Sequence, residues 1–250
     1  NQNKLYKVRT KILRKFSEKK KKIINLDVYC VIPVRGPNID RLCNSLEILD
    51  RKPLIFHTID EALKVKEFKK IILTTSDDKL IKFVKKKYKN RIFYHKRSKN
   101  LSQQNLNFKE AVINSVNKFS NNIIDILVIM TLENPFRKYF YLEQAISNLI
   151  IHESDLVVGT LPDIENTYYK STKNGIKLIS NSKNHKLKLE KNIVFKEVGA
   201  FNVYNYNSYL KDNIRKITSV VLDEQHSKLI NSKSDLRIAK TISTNVKKTF

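Results

Sequence analysis

The chain has 250 residues, 41% of them hydrophobic, which suffices for one large domain or two small ones with a substantial core. Its net charge of +25 invites an anionic partner, yet 39 of the 49 basic residues are Lys, and Asn and Ile also abound, a usage that A/T-rich codons produce without any ligand. No apolar run reaches the roughly 18 residues of a membrane span, no signal-peptide core opens the chain, and no basic stripe interleaved with aromatics suggests a nucleic-acid binder.

Residues 1–26 read as a basic extension to a domain spanning 27–250. Within the extension, Leu5, Val8, Ile12 and Phe16 have helical spacing, which allows a short amphipathic helix on an anionic surface or against the domain, or a solvated tail. From residue 27 onward strands and helices alternate. Strands are predicted at 28–34, 70–75, 91–95, 125–130, 155–160 and 195–204, each rich in Val, Ile or aromatics and bounded by polar turns. Helical periodicity places helices at 53–66, 77–88, 107–119 and 139–151, with Asp77 and Asp78 opening the second. Residues 171–193, polar and rich in Lys and Asn, read as a loop or hairpin. Alternation of this kind predicts a mainly parallel sheet covered on both faces, with ligands bound beyond the carboxyl ends of the strands. That rim holds Arg35, Gly36, Thr75, Ser76 and Thr131. Cys30 and Cys43 make no disulfide framework, so a reduced, cytoplasmic protein is expected. The five histidines lack zinc spacing, and no nucleophile elbow, Walker loop or dinucleotide glycine fingerprint occurs.

The richest stretch is 28–55, VYCVIPVRGPNIDRLCNSLEILDRKPLI. A hydrophobic run ends in Ile32-Pro33-Val34-Arg35-Gly36, a loop follows, and Lys52-Pro53-Leu54-Ile55 opens a helix. Strand–loop–helix units of this kind offer backbone N–H groups and a helix N-terminus to an anion. Four further segments occur in order downstream: Thr75-Ser76-Asp77-Asp78, Ile129 to Arg137 (IMTLENPFR), Val198-Gly199-Ala200-Phe201-Asn202, and Leu229 to Leu236 (LINSKSDL). The ordered set resembles the sugar-activating cytidylyltransferases, the family that makes CMP-sialic acid and related CMP-sugars. Its motifs run IPARGGSKGLPGKNI…GKPLI, STDD, LLQPTSPLR, NGAIY and DIDTEEDL, and the first aligns without a gap from Ile32 to Ile55.

The resemblance implies a three-layer α/β/α nucleotide-diphospho-sugar transferase-like (Rossmann-like) fold with a mixed, mostly parallel sheet. It implies transfer of CMP from CTP to an acidic sugar with release of pyrophosphate, in a homodimer whose projecting segment corresponds to 171–195. Arg35 and Asn44 fall at catalytic positions. Arg35, Gly36, Asn38, Asn44, Ser45, Ser76, Arg97 and Thr131 are the expected nucleotide contacts, and Tyr168, Gly199, Ala200 and Asn202 the expected sugar contacts. Arg97 is also readable as part of a solvated cluster with Lys96 and Lys99, Gly36 as a plain turn glycine, and Tyr168 and Tyr169 as sheet-edge aromatics. Arg137 is expected to start a helix.

Several family positions are changed. Ile39, Asn44 and Ser45 stand where the family loop has two lysines and an asparagine. Thr131 replaces the glutamine that helps recognise cytosine, and Gln104 replaces an aspartate. The two aspartates that hold Mg²⁺ in the family are Leu229 and Asn231 here, so any Mg²⁺ needs other carboxylates, with Glu133 and Asp77 as candidates. Asp235 corresponds to a helix-start residue. Two readings follow: a divergent cytidylyltransferase, or a nucleotide- or sugar-binding protein of the same fold that has lost its chemistry.

Overall fold

The computed structural model of the chain describes residues 26–37, 43–98, 108–120, 123–163, 169–172, 175–178 and 194–246. In chain order the strands and helices are β1 (Val28–Pro33), β2 (Ile48–Leu49), β3 (Lys52–Pro53), α1 (Leu54–Ala62), β4 (Phe68–Thr75), α2 (Asp78–Tyr88), β5 (Phe93–Lys96), α3 (Phe108–Asn117), β6 (Ile126–Met130), α4 (Tyr139–Ile151), β7 (Leu156–Asp163), β8 (Tyr169–Thr172), β9 (Gly175–Leu178), β10 (Val194–Asn205), α5 (Tyr206–Leu210), β11 (Ile217–Val221) and α6 (Lys233–Val246). Seven strands form the main sheet in the order β11-β7-β10-β6-β1-β4-β5. Only β10 runs against its neighbours, pairing antiparallel with both β6 and β7. The sheet is therefore mixed and mostly parallel, as expected.

Burial explains why β1 is central. Val28 to Ile32 are all buried, because a strand in the middle of a doubly covered sheet meets side chains on both faces. Alternate residues divide between two cores. Val28, Cys30 and Ile32 pack with Ile55 and Ile59 of α1, Leu80 and Val84 of α2, and Leu142 and Ile146 of α4. Tyr29 and Val31 face the other way, toward Val112 and Val116 of α3 and Tyr206 and Tyr209 of α5. Helix α2 begins where acidic residues favour it: the Asp77 carboxylate accepts from the backbone N–H groups of Lys79 and Leu80 at 3.0 and 3.1 Å.

Some elements fall outside the sequence expectation. The loop after β1 contains a small hairpin, β2–β3, whose turn residues Asp50 and Arg51 both have positive φ, 50° and 62°. Strand β11 is a further addition; it extends the sheet by pairing parallel with β7. Residues 171–193 begin in a β8–β9 hairpin. Both cysteines are free thiols, and Cys30 is buried. Among the described residues no helix is long and apolar enough to cross a membrane. The basic segment 1–25, most of the projecting segment, and Asn38, Ile39, Gln104 and Tyr168 lie outside the described residues.

Candidate active site

The chain leaves β1 toward β4 and β5 on one side of the sheet, then returns to place β6 on the other side. The carboxyl ends of β1 and β6 therefore flank a topological switch point, where open α/β sheets form their ligand crevice. A cavity of about 380 Å³ lies there. Pro33, Val34 and Arg35 line it from the end of β1, Thr131, Leu132 and Glu133 from the end of β6, and Cys43, Asn44 and Ser45 from the loop. Leu54, Arg97, Phe108, Ile230 and Asn231 complete the wall.

Of the residues expected at a nucleotide, Arg35, Asn44, Ser45, Arg97 and Thr131 are brought together here. Arg97 is not part of a solvated cluster. It is 6% exposed, its Nη2 donates to the Val34 carbonyl at 2.7 Å, and its buried Nε has no hydrogen-bond partner. Burial, with the Arg35 charge beside it, lowers the Arg97 pKa from its ordinary value. The Ser45 hydroxyl is likewise fully buried and unpartnered. Orphaned donors of this kind are rare in folded proteins and call for an acceptor.

Helix α1 corrects one expectation. Its first two backbone N–H groups do not face an anion: Leu54 N donates to the Glu47 carbonyl at 2.9 Å and Ile55 N to the Ser45 carbonyl at 3.1 Å. The loop just before β2 folds back onto the helix and its carbonyls use these two donors, so the side chains of the wall carry its positive charge. Gly36 has a definite steric role. It sits at φ +85°, and a Cβ there would lie 2.5 Å from the Asp77 Cβ and 2.6 Å from its Oδ2. The close approach is to the cap of α2. Ser76, just beyond β4, is outside the cavity wall, with its hydroxyl buried and unpartnered.

The residues expected at the sugar behave differently. Gly199, Ala200 and Asn202 lie on β10, and none lines the cavity. The Gly199 carbonyl accepts from Thr131 Oγ1 at 2.9 Å, and the Asn202 amide donates to the Tyr204 hydroxyl at 3.1 Å. Ala200 is buried, and its carbonyl accepts from Arg137. Arg137 does more than start α4. Its Nη2 also donates to the Thr131 carbonyl at 2.8 Å and to Thr58 Oγ1 at 3.0 Å, so one buried guanidinium ties β10, the end of β6 and α1 together. Burial pushes its pKa down to about 10. Sequence reasoning missed Phe108, half-exposed at the start of α3 and part of the wall. An aromatic at a helix start carries no signal of that role.

Among the described residues the donor set of the wall does not fit Mg²⁺. Glu133 is the one carboxylate among the lining residues. Asp77 caps α2. Asp235 accepts from the backbone N–H groups of Asn231 and Ser232 at 3.0 and 2.8 Å, while Ser232 Oγ accepts from Asp235 N, a reciprocal capping box at the start of α6. Leu229 offers no oxygen from its side chain, and Asn231 only a neutral one. No group of three or more His, Cys, Asp or Glu suited to a metal occurs among the described residues.

A sequence model described as cytidylyltransferase matches residues 44–229. The chain belongs to the cytidylyltransferase family. The match contains Asn44, Ser45, Arg97, Thr131 and Glu133, while Arg35 and Asn231 flank it. A search of the curated proteins finds no match. Among solved structures, 4-diphosphocytidyl-2C-methyl-D-erythritol synthase from Anaerococcus prevotii DSM 20548 superposes with a TM-score of 0.65 at 14% identity, over 88% of this chain and 99% of that one. CMP:2-keto-3-deoxy-manno-octonic acid synthetase, solved in complex with CTP, gives 0.61 at 12% identity, again over 88% and 99%. At these identities the likeness is one of fold, and it agrees with the family assignment.

Proposed function

We propose that the chain binds CTP in the cavity between β1 and β6 and transfers CMP to a sialic-acid-like acidic sugar with release of pyrophosphate, a step toward cell-surface glycans. The observation that carries this reading is the convergence of Arg35, Arg97 and the unpartnered Ser45 hydroxyl on one cavity at the switch point of a cytidylyltransferase-family chain. Guanidinium groups offer phosphate a fixed fork of donors. In the step proposed, a sugar hydroxyl oxygen forms a bond to the α-phosphorus, the bond from that phosphorus to the bridging oxygen of the β-phosphate breaks, and pyrophosphate leaves. Glu133 is the lining carboxylate that can accept the hydroxyl proton. Arg35 and Arg97 stabilise the charge that develops on the phosphate oxygens, and Asn44 adds a neutral donor.

A second reading, nucleotide or sugar binding without turnover, is favoured by one observation: among the described wall residues a divalent cation would find one carboxylate, Glu133, and no cluster of ligands. Pyrophosphate release from CTP, screened across acidic sugars, separates the two. Release dependent on both CTP and a sugar acid supports the enzyme. Saturable CTP binding with no release under any sugar supports the binding protein.

A further inference from the structure

We propose that this chain takes its nucleotide as the free anion, with Arg35, Arg97 and Ser45 meeting the phosphate oxygens, and that magnesium opposes binding instead of aiding it. The inference rests on the CTP reading above and adds a sign to it. Two buried donors of the wall, Arg97 Nε and Ser45 Oγ, have no partner, and both suit an anionic oxygen. Arg97 keeps its positive charge despite burial, because guanidinium does not lose its proton at ordinary pH. The carboxylates that would draw a cation to the phosphates are elsewhere: Asp77 and Asp235 are engaged at helix starts, and Glu133 stands alone in the wall.

Electrostatics then decides the preferred species. A free triphosphate carries more negative charge than its magnesium complex. Two fixed cations in a partly desolvated cavity attract the more negative form more strongly, and they repel a divalent ion that, among the described wall residues, only the Glu133 carboxylate offsets. A site built around carboxylate ligands has the opposite preference.

Calorimetric titration of the full chain with CTP, in magnesium and in EDTA at matched ionic strength, tests this. Inorganic tripolyphosphate in both buffers is the second probe. The expected result is binding roughly threefold or more tighter in EDTA. Ser45→Ala should weaken that binding. Arg97→Gln should weaken it by about tenfold; should that variant misfold, Ser45→Ala carries the test. Equal or tighter CTP binding in magnesium overturns the proposal. Failure of both probes to bind also overturns it. If tripolyphosphate binds with the predicted opposition by magnesium and CTP does not bind, the CTP reading falls and the charge scheme stands.

Discussion

Arg137 shows how a single side chain can shape a cavity without lining it. Its guanidinium satisfies the carbonyls of Thr131 and Ala200 and the Thr58 hydroxyl, all in the protein interior. Removing it strands the Ala200 carbonyl in low dielectric and leaves the Thr131 carbonyl only a long 3.4 Å bond from Thr58 Oγ1. Arg137→Ala should therefore cost about 3 kcal/mol or more in chemical denaturation, and a loss below about 1 kcal/mol would refute its role as a tie. His95 makes a pH-dependent contribution. It is buried, and its Nδ1 lies 3.0 Å from Thr74 Oγ1 and 2.8 Å from Ser115 Oγ. Burial lowers its pKa, and the charges of Lys118 and Arg97 act in the same direction. The folded imidazole binds a proton less readily than the unfolded one, which titrates near its usual value of about 6.5. Below that pH the unfolded state binds more protons, so stability should fall as pH drops through about 6.5 toward the depressed folded value. Thermal melts of His95→Gln should show a flatter profile between about pH 5 and 7 than the parent chain. Unchanged steepness would place the titration on another group.

At the scale of elements, the β2–β3 hairpin turns the chain so that the loop just before it occupies the first two donors of α1. Its turn holds Arg51 at φ 62°, where the family motif has glycine. A left-handed conformation costs a side-chain-bearing residue about 1–2 kcal/mol. Arg51→Gly should thus stabilise the chain by up to about 1 kcal/mol, after the greater entropy of unfolded glycine is subtracted. That corresponds to a rise in Tm of about 2–4 °C, and a fall would mean that Arg51 makes compensating contacts. Helix α6 depends on its capping box. Ser232→Ala should cost about 1 kcal/mol in the same assay. Because Asn231 N shares the Asp235 carboxylate, that variant should also loosen the wall at Asn231. The alternating elements that build the sheet are legible in the sequence because the strands are unbroken apolar runs, as in VYCVIP, and the helices longer runs with helical spacing, as in 139–151. The hairpin is not legible. Its strands are two residues each, and its turn lacks the glycine or asparagine that signals left-handed backbone.

At the scale of the whole molecule, topology gathers residues far apart in sequence. Arg35, Arg97, Thr131 and Asn231 meet because one strand order brings the ends of β1, β5 and β6 to one rim. The site is partly legible for the same reason: in an alternating chain the strand ends mark the rim from sequence alone. Arg97 is ambiguous in sequence, close to two lysines, because only the fold shows that it turns inward while Lys96 reaches the Asp78 carboxylate outside at 2.5 Å. Motif alone puts Gly199, Ala200 and Asn202 at the sugar, whereas the geometry gives their polar groups to Thr131, Arg137 and Tyr204. The +25 charge adds a molecule-wide field that draws any polyanion to the surface. Selectivity among nucleotides, not affinity for phosphate, therefore distinguishes a site from a charged surface. Leu229→Asp combined with Asn231→Asp should convert magnesium from an opponent of CTP binding into an aid, read by titration in the two buffers. No change in the magnesium effect would show that these positions do not reach the phosphates.

A thermal-shift titration with CTP against ATP, GTP and UTP tests for a cytidine-nucleotide site. Ligand at about 100 times its Kd stabilises by roughly 2.7 kcal/mol, which for a chain of this size is a shift of several degrees. CTP should give a clear shift and the other three little. Equal shifts with all four, or none with CTP, would contradict it.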